Sequence, residues 1–197
     1  ADVVVVGFGA AGAATAITAQ ATGATVLMLE KAPRGEEGGN TRVAGQGYLN
    51  ASPVDQAIAY FNALCGPFTV PQEVVHAWAD EVSKNNEWVK SIGGDPQEHQ
   101  HAPVGIEFPE LPGSYSTHKF HQGPIVGYSH TWKLFERAVN ERDIEVLYES
   151  PAKELIQSNA TREILGVRVE QGGKPVYVKA NRAVVLTCGG FENNQEM

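Results

Sequence analysis

Cysteine is nearly absent: 197 residues hold two, Cys65 and Cys188, far apart and neither in a CxxC pair. Two thiols cannot build a zinc site of the usual four-ligand kind. The six histidines show no HExxH or comparable spacing, so no metal is expected. The thiols read as reduced and buried, as in a reducing compartment, and the expected location is cytoplasmic. Positive charge is also short. Fifteen Lys and Arg stand against 23 Asp and Glu, a formal net charge of -8 with no basic cluster. That balance speaks against nucleic acid or an anionic membrane as partner. No apolar run approaches the ~20 residues that span a bilayer, and no charged leader precedes an apolar segment. The first residues already read as a strand, so the start is expected to be trimmed, with room upstream for a targeting signal.

Glycine is plentiful, 21 residues, and with 11 prolines it is spread along the chain. That spread predicts many turns rather than a disordered tract. With 42% apolar residues, a packed core of one domain or slightly more is expected. Val3 to Val6 are four consecutive valines, suited to a central parallel strand covered on both faces. An Ala-rich helix over 10–22 and a second buried strand over Thr25 to Leu29 complete a βαβ unit. Residues 31–51 read as a Gly-rich loop. Helices are predicted from Ser52-Pro53, with Val54, Ile58, Phe61 and Leu64 on one face, and from Pro71 to Gly93. The second carries Val74, Trp78, Val82, Val89 and Ile92 at helical spacing. Residues 95–127 carry five prolines and four glycines and read as an irregular excursion. A helix over Ser129 to Glu141 follows, then a short strand at 144–148. An antiparallel meander is expected at about 152–180, and then a fully buried strand over Ala183 to Thr187.

Gly7-Phe8-Gly9-Ala10-Ala11-Gly12 is a GxGxxG hexapeptide in its informative context: a strand before it, a helix after it, and a second strand ending in an acid, Glu30. Gly7 permits the turn, Gly9 lets a pyrophosphate approach the backbone, and Gly12 lets the helix pack close to the sheet. The helix N-terminus offers unpaired N–H groups and a partial positive charge of ~0.5 e. A carboxylate at Glu30 suits a ribose diol and repels a 2′-phosphate. Both NAD and FAD contain ADP, so this unit does not choose between them. The second Gly-rich stretch, Gly38-Gly39-Asn40-Thr41-Arg42-Val43-Ala44-Gly45-Gln46-Gly47, favours FAD, because it too invites close backbone approach to something large.

These residues resemble the flavoprotein subunits of fumarate reductases and succinate dehydrogenases, whose FAD domain is shared by soluble fumarate reductases, urocanate reductases and 3-ketosteroid dehydrogenases. The likeness spans most of the chain, and GGNTRVAGQG is its specific part. It implies a Rossmann-like α/β FAD-binding domain: a central parallel sheet with an antiparallel β-meander on one face, three layers ββα. Residues 1–197 would be the N-terminal part of that domain. Cofactor contacts are implied at Gly7, Gly9, Ala10, Ala11, Gly12, Glu30 and Lys31, and at Gly39, Asn40, Thr41, Ala44, Gly45, Gln46 and Gly47. Further contacts fall at Pro151 and Ala152, beside adenine, and at Thr187, Gly189 and Gly190, in the turn Thr187-Cys188-Gly189-Gly190-Phe191. Membrane-bound members carry a flavin-linked histidine where Asn40 stands, so non-covalent FAD is implied. Gln46-Gly47 stands where the soluble members usually have two glycines. The capping domain and later flavin segment of the family are expected beyond Met197, with the catalytic residues in them.

The implied reaction is FAD-dependent oxidation or reduction of a carbon–carbon bond next to a carbonyl or carboxylate of a small-molecule substrate, with an unnamed electron partner. Alternatives are a nucleotide-binding fragment without turnover, another FAD oxidase or hydroxylase, and an NAD-only domain. The histidines His76, His99, His101, His118, His121 and His130 read as polar surface groups, clustering only if 95–127 folds back on itself. Tyr115 and Tyr128 read as surface tyrosines.

Overall fold

The structure is a computed structural model that describes residues 1–99, 107–124 and 128–190. In chain order its elements are β1 Val3–Val6, α1 Ala10–Ala21, β2 Val26–Leu29, α2 Gly39–Val43, β3 Gly47–Ala51, α3 Val54–Leu64, α4 Gln72–Val82 and α5 Asn85–Ser91. Then come β4 Pro96–Glu98, a 3-10 turn Ser114–Ser116, β5 Thr117–Gln122, α6 His130–Asn140, β6 Glu145–Leu147, β7 Ala152–Gln157, β8 Ile164–Gln171, β9 Lys174–Lys179 and β10 Ala183–Leu186. The chain divides into two compact units, 1–44 with 135–197, and 45–134.

In the first unit the valine run lies inside a parallel sheet of order β10-β1-β2-β6. Strand side chains alternate between faces, and both faces of β1 are covered. Val4 and Val6 pack with Leu29 against Val167, Val169 and Val178 of the meander β7-β8-β9 and against Ala180 just after it. Val5 points the other way and is fully buried, on the side where α1 crosses from β1 to β2. The α/β class, the parallel sheet and the meander are as the sequence predicts. One strand differs. Among the described residues β10 pairs with β1 alone, at the end of the strand order, and Leu186 is 59% exposed. An apolar run alone does not distinguish an edge strand from a central one.

The second unit holds an antiparallel sheet of order β3-β5-β4 with α3, α4 and α5. One of its clusters is made of small residues, Ala51, Ala57 and Ala79, packed against Val54, Ile58, Trp78 and Val82, and Tyr60, Val75, Val89, Ile92 and Trp132 are buried as well. Three sequence expectations are corrected. Residues 31–51 are not all loop, since they form α2 and β3. The segment after Pro71 is two helices, broken where the Ser83 hydroxyl bonds the Asp80 carbonyl at 2.7 Å. Val82 and Val89 keep their heptad spacing across the break, so periodicity does not register it. The 95–127 stretch supplies β4, a 3-10 turn and β5, with residues 100–106 and 125–127 of the expected excursion outside the described residues.

Candidate functional site

In the first unit, the predicted site residues that are described gather where the parallel strands end. β1 runs into Gly7, β2 into Glu30, β6 toward Pro151, and β10 into Thr187. In open α/β sheets this C-terminal edge is where ligands bind. The Thr187 amide donates to the Val6 carbonyl at 2.9 Å. Its hydroxyl reaches the Val6 carbonyl at 2.8 Å and the Gly7 carbonyl at 3.0 Å, pinning the end of β10 to the start of the glycine turn.

The three motif glycines answer to different demands. Gly7 has φ +105, and a Cβ there would stand 2.6 Å from the Thr187 carbonyl oxygen. A Cβ on Gly12 would overlap the Gly7 carbonyl oxygen and press on Thr187 Oγ1. The polypeptide itself therefore requires both. Gly9 is different. Its backbone is extended, φ -103 and ψ -163, and a Cβ would meet the Gly38 carbonyl and Thr41 Oγ1 at an ordinary 3.5 Å. Nothing in the packing demands glycine at position 9, so the space above it suits something other than protein.

Gly9 is the N-cap of α1 and brings no side-chain cap. The Ala10 amide donates to Thr41 Oγ1 at 3.0 Å, which seats α2 against the start of α1. The amides of Ala11 and Gly12 find no acceptor among the described residues. Two open donors at a helix N-terminus form an anion site. The residues present thus fit the pyrophosphate of a dinucleotide.

Glu30 is 7% exposed. One carboxylate oxygen accepts from the Phe8 amide and the other from the Ala32 amide, each at 2.8 Å. The carboxylate therefore fixes the glycine turn as well as facing the strand ends. Each oxygen keeps a second lone pair for a ribose hydroxyl. Glu37 is 3% exposed and accepts from the Gly35 amide at 2.6 Å and the Tyr148 hydroxyl at 3.3 Å. Burial, with the Glu37 charge, raises the Tyr148 phenol above the usual tyrosine range. Sequence reasoning passed over Glu37, because an acid within a Gly-rich stretch carries no periodic signal.

Lys31, Gly39, Asn40 and Ala44 are exposed, with Thr41 half-buried. The Pro151 carbonyl accepts from the Glu170 amide at 3.1 Å, and Ala152 opens β7 opposite Val169. Gly189 has φ +80, and Gly190 is exposed. Phe191 lies outside the described residues. Cys188 is exposed and Cys65 half-buried, both free, which corrects the expectation of buried thiols.

In the second unit, Gly45 and Gly47 are exposed while Gln46 is 5% exposed with φ +66. Its carbonyl accepts from the Thr131 hydroxyl at 2.9 Å, and its side-chain Oε1 from the Trp132 amide at 3.0 Å. The side-chain oxygen thus caps the first turn of α6, a use a glycine there could not provide. His121 is buried, 8% exposed, and stands against the His99 ring with centroids 5.8 Å apart. This corrects its reading as a surface group. Tyr115 and Tyr128 are exposed, 70% and 73%. Among the described residues no group of His, Cys, Asp or Glu could hold a metal ion, and no helix is long and apolar enough to cross a membrane.

Comparison with known proteins agrees with this geometry. The family described as FAD binding domain matches residues 2–197. A NADH:fumarate oxidoreductase of Klebsiella pneumoniae is 29% identical over 210 residues, covering 100% of this chain and 21% of its own length. A fumarate reductase (cytochrome) of Shewanella frigidimarina is 30% identical over 210 residues, covering 99% of this chain and 34% of its own. The chain thus spans about a fifth of the first relative's length and about a third of the second's. Among solved structures, a 3-ketosteroid delta1-dehydrogenase of Sterolibacterium denitrificans superposes with a TM-score of 0.83 at 19% identity, over 99% of this chain and 48% of that one. At that identity the likeness is one of fold.

Proposed function

Since the chain belongs to the family of FAD binding domains, we propose that its strand-end crevice binds the ADP half of FAD non-covalently, in a longer enzyme that oxidises or reduces a carbon–carbon bond adjacent to a carbonyl or carboxylate. The pyrophosphate would rest on the Ala11 and Gly12 amides over Gly9, with Gly7 and Ala10 shaping the turn. Glu30 would receive the ribose hydroxyls, with Lys31 next to it. Ala152 and Pro151 would border adenine, and Thr187, Gly189 and Gly190 would close over the nucleotide. Gly39, Asn40, Thr41 and Ala44, and in the second unit Gly45, Gln46 and Gly47, are proposed to follow the ribityl chain and flavin ring. Asn40 has an amide where membrane-bound relatives have a flavin-linked histidine, which supports reversible binding. When bound, FAD supplies the acceptor and donor of hydride. The chain binds it, orients it and sets its polar surroundings.

The observation that carries this reading is Gly9. The fold leaves ordinary contact distances for a Cβ there, and a bound pyrophosphate would leave none. Gly9→Val is expected to leave helix content unchanged by circular dichroism and to abolish flavin retention, read as yellow colour released on acid precipitation. A folded Gly9→Val protein that keeps its flavin would refute the phosphate assignment.

A further inference from the structure

The loop that enters β3 distributes its residues against the demands of its own backbone. Gly45 lies outside the left-handed region, and a Cβ there would meet nothing within 4 Å among the described residues. The fold would accept a side chain at that position. Gln46 has φ +66, in the left-handed region that favours glycine. The loop thus keeps a glycine where the polypeptide needs none and a glutamine where the backbone favours glycine. That exchange is explained if position 45 must stay bare for something else and position 46 must carry a side chain.

The Gln46 side chain is turned inward, 5% exposed, and is used on α6. A helix leaves its first N–H groups without intrahelical acceptors, and a side chain just before the helix commonly caps them. For Trp132 the acceptor comes from 86 positions away, where Gln46 Oε1 takes its amide at 3.0 Å. The Thr131 hydroxyl adds a second bond, to the Gln46 carbonyl at 2.9 Å. Both helix residues are buried, Thr131 at 9% and Trp132 at 3% exposed. One residue of the loop is therefore tied to a buried helix end, while Gly45 and Gly47 on either side stay exposed.

We propose that Gln46 is a positioning residue: its side chain serves α6 rather than the cofactor, and it holds the main chain of 45–47 in the shape that receives the flavin ring. This rests on the flavoenzyme reading above. Left-handed backbone at a non-glycine residue is costly, and such strain persists where the surroundings hold it, often at ligand sites. The tether to α6 holds it here. A loop already fixed loses little freedom when a ligand binds. The bare backbone at Gly45 is then the contact surface. The ADP half of the cofactor is assigned to other residues, Gly9, Ala11, Gly12 and Glu30. The tether therefore sets the preference for FAD over ADP and leaves the affinity for ADP alone.

The test is the ratio of FAD to ADP affinity, measured by titration calorimetry on the whole chain. Gln46→Met keeps the length of the side chain and removes the amide oxygen. It should weaken FAD binding about tenfold, the scale of one buried donor left without its acceptor, with ADP binding unchanged. Gln46→Glu keeps an acceptor at the start of α6, where a carboxylate is favoured, and should hold the wild-type ratio. A Met variant with the wild-type ratio, or equal weakening of FAD and ADP, would overturn the proposal. So would a Glu variant that binds FAD as weakly as the Met variant. Hydrogen exchange on the unmodified chain decides the matter even if Gln46→Met does not fold. FAD should slow exchange of the Trp132 amide and ADP should not, and a Trp132 amide indifferent to FAD would refute the tether. Failure of the flavoenzyme reading looks different: the unmodified chain then binds ADP as tightly as FAD, or binds neither, before any variant is made.

Discussion

Glu30 belongs to the protein before it belongs to any ligand. Its two oxygens hold the Phe8 and Ala32 amides, bonds made entirely within the polypeptide. Glu30→Ala is therefore expected to destabilise the cofactor-free chain by about 1–3 kcal/mol, the cost of leaving buried donors unsatisfied. Urea denaturation without flavin measures it. Unchanged stability would mean that the carboxylate serves only the nucleotide. The position of Glu30 was legible in the sequence because it follows an apolar strand in a βαβ unit. Its bonds to the turn were not, since they depend on where Phe8 sits. The motif glycines divide in the same way. Hexapeptide spacing names all three, but only the structure shows that Gly7 and Gly12 answer to Thr187 and to one another, leaving Gly9 for a ligand.

β3 carries a group whose titration reports on the packing of its sheet. Tyr48 donates to Asn86 Oδ1 at 3.0 Å and stacks on Phe120 with centroids 6.1 Å apart. Burial first, then the Asp95 charge, pushes its phenol up to about 12. The folded state thus keeps the proton longer than the unfolded chain, where tyrosine ionises near 10.0. Stability from Tyr48 is complete below pH 10 and falls as the pH rises toward about 12. Denaturation midpoints across that window should decline in the wild type and decline less in Tyr48→Phe. Parallel declines would show that Tyr48 is not shielded. The sequence did not reveal β3, β4 or β5. Pro96-Gln97-Glu98 and Thr117-His118-Lys119-Phe120-His121-Gln122 carry too few apolar residues to show alternation. Their pairing is long-range, β3 with β5 across nearly seventy residues. β1, β2 and the meander were legible because each has a strong apolar run or a turn between short strands.

The two units differ in how plainly their sequences declare them. The first is built from two stretches of chain, 1–44 and 135–197, around branched apolar residues such as Val4, Val167 and Val169. The second has a cluster of alanines, Ala51, Ala57 and Ala79, among its buried residues, and small side chains give little contrast between core and surface. A phosphate turn, an acid after the second strand and a closing Gly-Gly are local features that survive in one dimension. The polar contacts of Gln46 and the gathering of His99, His121 and His130 depend on chain return and do not. If the crevice of the first unit holds the nucleotide, ADP alone should be sufficient to occupy it. Saturating ADP is expected to slow hydrogen exchange most at Ala11 and Gly12, whose amides lack acceptors, and across β1 and β2. A ligand at a hundred times its Kd adds about 2.7 kcal/mol to the state that binds it, roughly a hundredfold in exchange rate where exchange requires that state to open. Amides of β3, β4 and β5 should keep their rates. Mass spectrometry of peptides from both units makes the comparison in one experiment. Protection confined to residues 45–134, or none at Ala11 and Gly12, would place the nucleotide elsewhere.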